Sequence, residues 1–253
     1  MASLWSDIAP LRVGLHVGAV VSTAAMAYID LCHDFDEERE RIFDYHPTLM
    51  ATAVMLFLTE GLITSIGFRH LTGDARVAAI WRHACWTAPG NLLMIAGVVA
   101  MYGFKSKWRL GHFDTPHSWL GLACLGLSLC STLGGLLSFH RIGLLDRLPV
   151  KVRPWVKAAH RNAGAVAWLC GVVAMEVALM YPRMRMQAVS AGILIGAIAA
   201  TAMLLILISR IMAAPAAAAP APAAATAGAA KAGAAAVTPA EPPKAQPEAK
   251  KKM

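Results

Sequence analysis

The run HPTLMATAVMLFLTEGLITSIGF, residues 46–68, decides how this chain folds. A helix from Pro47 to Phe68 has 22 residues, and at 1.5 Å per residue it reaches about 33 Å, enough to cross the hydrocarbon core of a bilayer. The one charged residue in the run is Glu60. A carboxylate at that depth is costly unless it is paired or wet, so it is expected to face the bundle interior. Pro47 suits a first helical position, because its missing N–H would have no partner there anyway. That reading puts His46 at the lip of the helix.

Working outward, three more apolar runs follow, at residues 83–104, 117–139 and 160–181, and each opens on a histidine: His83, His117 and His160. Two further runs flank this block, at residues 10–31 and 187–212. Each carries a GxxxG pair, Gly14/Gly18 and Gly192/Gly196, a spacing that lets helices approach closely. Glu176 is the one acid inside the fifth run. Trp81, Trp86, Trp108, Trp119 and Trp155 fall near the ends of runs, where amphipathic rings settle at the membrane surface. The expected fold is therefore all-α: a polytopic membrane protein of six transmembrane helices with a central four-helix bundle. It occupies residues 1–212. Residues 213–253 are rich in Ala, Pro and Lys, lack large apolar side chains and are expected to form a disordered tail.

The totals agree with this division. The chain is 57% hydrophobic and has a mean hydropathy of +0.54, above the roughly half-apolar composition of soluble domains. Its net charge of +8 clusters in interhelical loops and the tail, and no nucleic-acid motif accompanies it. The five cysteines form neither CxxC nor CxxCH. This disfavours a dithiol or zinc site and excludes c-type attachment of a haem. The first run is too long for a cleaved signal segment and reads as a retained helix.

Sidedness follows from the basic residues. The loops after the second and fourth helices hold nine Lys and Arg, against seven in the other three loops, so those two loops and both termini are expected to be cytoplasmic. Antiparallel helices alternate in direction. His46 and His117 then share the non-cytoplasmic side and are called the outer pair here, while His83 and His160 form the inner, cytoplasmic pair. Two histidines at one depth on facing helices are what six-coordinate haem iron requires. The parity gives two separate haem sites, one near each surface. The bland alternative is an interfacial polar histidine, the reading given to His16, His33, His70, His112 and His140.

The stretches His46-Pro-Thr-Leu-Met50 and His117-Ser-Trp-Leu-Gly121, with His83 and His160 at their spacing, resemble the cytochrome b561 family over residues 13–208. The resemblance implies a six-helix, homodimeric protein with two haem b groups. It implies electron transfer from cytoplasmic ascorbate to monodehydroascorbate or ferric chelates on the other side. Carried over to this sequence, His83 and His160 hold the cytoplasmic haem iron, and His46 and His117 the other. Ascorbate-using members place lysines and an arginine before the third-helix histidine. Here Arg69 takes the arginine's place and no lysine is present, so Arg76, Arg153 and Lys157 are expected to share the anion site. His112 and Lys105 stand where an acceptor would dock. The alternative from another class is an accessory haem-containing subunit of a larger membrane complex. A third, a proton carrier using Glu60 and Glu176, has only two buried acids to work with.

Overall fold

The computed structural model describes residues 9–32, 41–68, 71–181 and 185–213. Among them all regular structure is helical. α1 spans Ala9–Cys32. α2 is one rod in three segments, α-helical Arg41–Ala51, π-helical Thr52–Leu58 and α-helical Thr59–Gly67. α3 spans Gly73–Lys107, α4 Pro116–Ser138, α5 Arg153–Leu179 and α6 Arg185–Ala213. Five stretches are long and apolar enough to cross a membrane, in α1 to α5, and α6 adds the shorter apolar stretch Ala191–Leu207. The chain is an integral, polytopic membrane protein.

Contacts close α2, α3, α4 and α5 into a ring, with α2 against α3 and α4 against α5 the two extensive interfaces. α2 therefore stands diagonally across from α4, and α3 from α5. α1 packs on α2 and α6, and α6 also meets α5. The centre of the ring is filled by one side chain from each core helix: Met55, Met94, Cys124 and Trp168, none more than 1% exposed. Outward-facing residues such as Val99, Leu133, Ile193 and Met203 are large, apolar and open. This is the inverse of a soluble surface and suits contact with lipid tails.

Two buried polar side chains at mid-bundle, Asn91 and Trp168, are satisfied. Asn91 donates to the Thr87 carbonyl (2.9 Å) and to Thr132 Oγ1 (3.1 Å), and accepts from Ser128 Oγ (2.8 Å). Trp168 Nε1 donates to Thr59 Oγ1 (2.9 Å). With no water available, such pairing is what lets amides and hydroxyls sit at that depth.

Four expectations are corrected. α2 begins at Arg41, so Pro47 lies inside a helix and His46 is not at its lip. α3 begins at Gly73 and α5 at Arg153, which places His83 and His160 inside their helices. The reason is that an apolar run marks the membrane, while a helix continues past it as long as no breaker intervenes. In α4 the two limits coincide, because Thr115 caps the helix in a reciprocal box with Ser118 and Pro116 opens it. His16 is not simply interfacial: its Nδ1 pairs with Glu60 Oε1, joining α1 to α2. Glu60 is buried as expected, with that imidazole as its partner. Trp86 is half-buried against Phe57 rather than set at an exposed interface. The expectations for His33, Arg69, His70, the acidic stretch 34–40 and the tail beyond Ala213 lie outside the described residues.

Candidate functional site

Each diagonal helix pair brings two imidazoles together. His46 on α2 and His117 on α4 have ring centres 6.1 Å apart at an interplanar angle of 82°. His83 on α3 and His160 on α5 are 6.3 Å apart at 87°. Two metal–imidazole bonds of about 2 Å each, plus half of each ring, span about 6 Å. Both gaps therefore fit one metal ion with an axial imidazole on either side.

The opposite edges of the rings are all held in the same way. The Nδ1 of His46 meets the Gly97 carbonyl at 2.9 Å and that of His83 the Gly61 carbonyl at 2.8 Å. His117 Nδ1 meets the Ala174 carbonyl at 2.8 Å and His160 Nδ1 the Ser131 carbonyl at 2.7 Å. A carbonyl only accepts, so each Nδ1 must carry the proton. Each Nε2 then keeps its lone pair, which is the tautomer a metal ligand needs, and the bond also fixes the ring's orientation.

These bonds are reciprocal. α2 gives a histidine to α3's carbonyl and receives one in return, and α4 and α5 do the same. The bundle is two clipped hairpins face to face, with one histidine of each pair from either hairpin. Small residues make this possible. A Cβ on Gly97 would meet Met50 Sδ at 2.9 Å, and one on Gly135 would meet the His160 ring at 3.0 to 3.3 Å.

The outer pair opens into a cavity of about 480 Å³ lined by His46, His117, Tyr102, Lys105, His112 and Phe113, among mostly apolar neighbours. Its rim is the loop between α3 and α4. His112 stacks on Tyr102 with ring centres 4.4 Å apart. Arg109 and Phe113 hold left-handed backbone conformations, φ 51° and 55°, which cost non-glycine residues of order 1–3 kcal/mol each. Lys105 Nζ holds the loop in that shape by donating to the Gly111 carbonyl (2.7 Å) and to Asp114 Oδ1 (3.1 Å). The hydrogen bond from Lys105 keeps the Asp114 carboxyl below the ordinary carboxylate range.

At the other end, Arg141 bonds to Asp74 at 3.3 Å, bringing the α4–α5 loop to the start of α3. Arg76 is exposed there and donates to the Leu71 carbonyl at 3.4 Å. Arg153 is engaged within its own loop, with Nε on the Leu148 carbonyl (3.0 Å) and the two terminal nitrogens on Asp146 (3.1 and 2.9 Å). Lys157, one turn further along α5, is exposed. Arg76, Arg153 and Lys157 thus share the end nearer His83 and His160, and His112 stands at the opposite end.

Sequence reasoning missed the carbonyl clips, although a signal existed. Each histidine is followed about four turns later by a small residue: Gly61, Gly97, Ser131 and Ala174. It also missed Trp168 at the centre, which no charge or motif marks.

A family model described as eukaryotic cytochrome b561 matches residues 45–185, a span that contains all four histidines. A curated relative named transmembrane ascorbate ferrireductase 2, from Arabidopsis thaliana, is 24% identical over 143 residues. That alignment covers 56% of this chain and 60% of the relative, so the chain spans about three-fifths of the length of the curated relative it matches.

Proposed function

The chain belongs to the cytochrome b561 family, and from that premise we propose that it is a transmembrane oxidoreductase with two haem b groups. One group would be held by His46 and His117 and the other by His83 and His160. The observation that carries this reading is the pair of 6 Å imidazole gaps in which every Nδ1 is committed to a backbone carbonyl. Haem b, when bound, would supply reversible one-electron chemistry.

The protein's own residues would do the rest. The four imidazoles would hold the two groups through their free Nε2 atoms, and a metal held from both sides would have no place for oxygen. Met55, Met94, Cys124 and Trp168 exclude water between the two sites. The basic inner end, with Arg76, Arg153 and Lys157, attracts ascorbate, a small anion at neutral pH. The outer rim, with His112 and Lys105, receives monodehydroascorbate or a ferric chelate. The basic loops set the inner end and both termini in the cytoplasm; of the four GxxxG glycines, Gly18 packs against Ile198 and Gly192 and Gly196 against Glu176, which leaves Gly14 open to a second copy.

An accessory-subunit reading is favoured by one observation: the Arg153 guanidinium is already satisfied within its loop. Proteoliposomes loaded with ascorbate separate the two. The oxidoreductase reduces external ferric chelate at a rate that replacing His46 or His83 abolishes. An accessory subunit gives the rate of empty vesicles.

A further inference from the structure

Each core helix serves both ends of the bundle: it supplies a histidine to one pair and a carbonyl clip to the other. In α3 the clip Gly97 follows His83 by 14 positions, in α4 Ser131 follows His117 by 14, and in α5 Ala174 follows His160 by 14. Fourteen residues of α-helix make about 3.9 turns and rise about 21 Å, so histidine and clip lie on nearly one face, four turns apart. In α2 the clip Gly61 follows His46 by 15 positions. In a regular helix the fifteenth residue would stand about 60° to one side of the histidine, where the fourteenth stands about 40° to the other, a swing of about 100° that would pull the Gly61 carbonyl away from His83.

α2 is also the one described core helix with a π-helical segment, and Thr52–Leu58 lies between His46 and Gly61. Turns closed by i to i+5 bonds take in an extra residue without advancing the face. Ala53, Val54 and Met55 within the segment are all buried. Its backbone is secured from outside: Thr59 Oγ1 donates to the Val54 carbonyl five residues back (3.0 Å) and accepts from Trp168 Nε1 on α5 (2.9 Å).

We propose that Thr52–Leu58 is a one-residue register insertion that lets α2 serve both histidine pairs, with Thr59 as the positioning residue that holds it. The inference rests on the haem-ligand reading of the four histidines. It says that α2 needs the π segment only because it has one residue too many, and that α4, its counterpart in the other hairpin, has none to spare.

The test is a pair of single-residue deletions in the full chain. Deleting Leu56 gives α2 the 14-position spacing of the other helices, and the variant is expected to fold with two haems per chain and an unchanged melting midpoint. Deleting Gly126, whose position in α4 has no neighbour within 4 Å, breaks that spacing without removing a packed side chain. It is expected to drop the haem count to one or none. Loss of haem or failure to fold on deleting Leu56, or a full haem count after deleting Gly126, overturns the proposal. Thr59→Val is expected to shift the low-spin bis-histidine resonance and lower haem occupancy, and Thr59→Ser to restore both. An unshifted resonance in Thr59→Val removes Thr59 from the positioning role. The unmodified chain is the separate control on the functional reading. If it binds no haem, that reading fails, and the melting midpoints of the two deletions still decide the register.

Discussion

At the scale of the residue, the four histidines are matched by the carbonyls that hold them. Replacing any one with Leu is expected to remove one haem of two per chain and leave the other site's spectrum in place, because each pair draws its clips from separate helix positions. Pyridine haemochrome counts check this. The ring of His160 also rests on Gly135, where a Cβ would come within 3.0 Å, and Ser131 leaves the ring no room to turn. Gly135→Ala is therefore expected to destabilise the inner site by about 1–3 kcal/mol, the usual scale of overpacking, and to lower its occupancy while sparing the outer one. At the rim, the Asp114 carboxyl sits below its ordinary range because Lys105 donates to it. A depressed carboxylate lends its stabilisation above the unfolded value and loses it only as pH falls through the lower, folded one. The α3–α4 loop should thus keep its clip at a pH somewhat below the usual Asp value near 4, and Asp114→Asn should make loop proteolysis insensitive to pH in that window.

At the scale of the element, the His16–Glu60 pair ties α1 to the core ring. Its two members differ in burial, with side chains 41% and 6% exposed. Removing His16 strands a buried carboxylate, whereas removing the charge of Glu60 leaves an imidazole that reaches solvent or headgroups. His16→Leu is expected to cost about 1–3 kcal/mol and Glu60→Gln less, read as detergent melting midpoints. The pair also marks where sequence and structure part. Apolar runs located all six helices, and parity assigned the histidine partners, because both depend on what lipid and alternating direction enforce. Helix starts in α2, α3 and α5 lie ahead of the apolar runs, since water and lipid permit the same helix; Pro154 opens α5 as Pro116 opens α4, but only Thr115 closes a reciprocal capping box at the edge of its apolar run. The partner of Glu60 could not be read, because His16 lies 44 positions away and nothing in a lone histidine says which helix it faces.

At the scale of the molecule, two clipped hairpins share two histidine pairs, and α1 and α6 pack along one side. The centre between the two pairs is closed by the buried side chains of Met55, Met94, Cys124 and Trp168. The two basic loops meet at one end through Arg141 and Asp74, which a count of charges could only assign to a common face. Because the proposed attraction of ascorbate is long-range, its KM is expected to rise with ionic strength, while the rate at saturation stays constant. A KM indifferent to salt would leave those arginines with topology alone.

The most direct measurement of the central claim is the absorption spectrum of the purified full chain, with haem counted per chain, before and after ascorbate is added. The account predicts two b-type haems per chain with low-spin, six-coordinate spectra, both reduced by ascorbate. A well-folded chain that binds no haem, or one haem only, would contradict the assignment of the four histidines, and two haems that stay oxidised would contradict ascorbate as the donor.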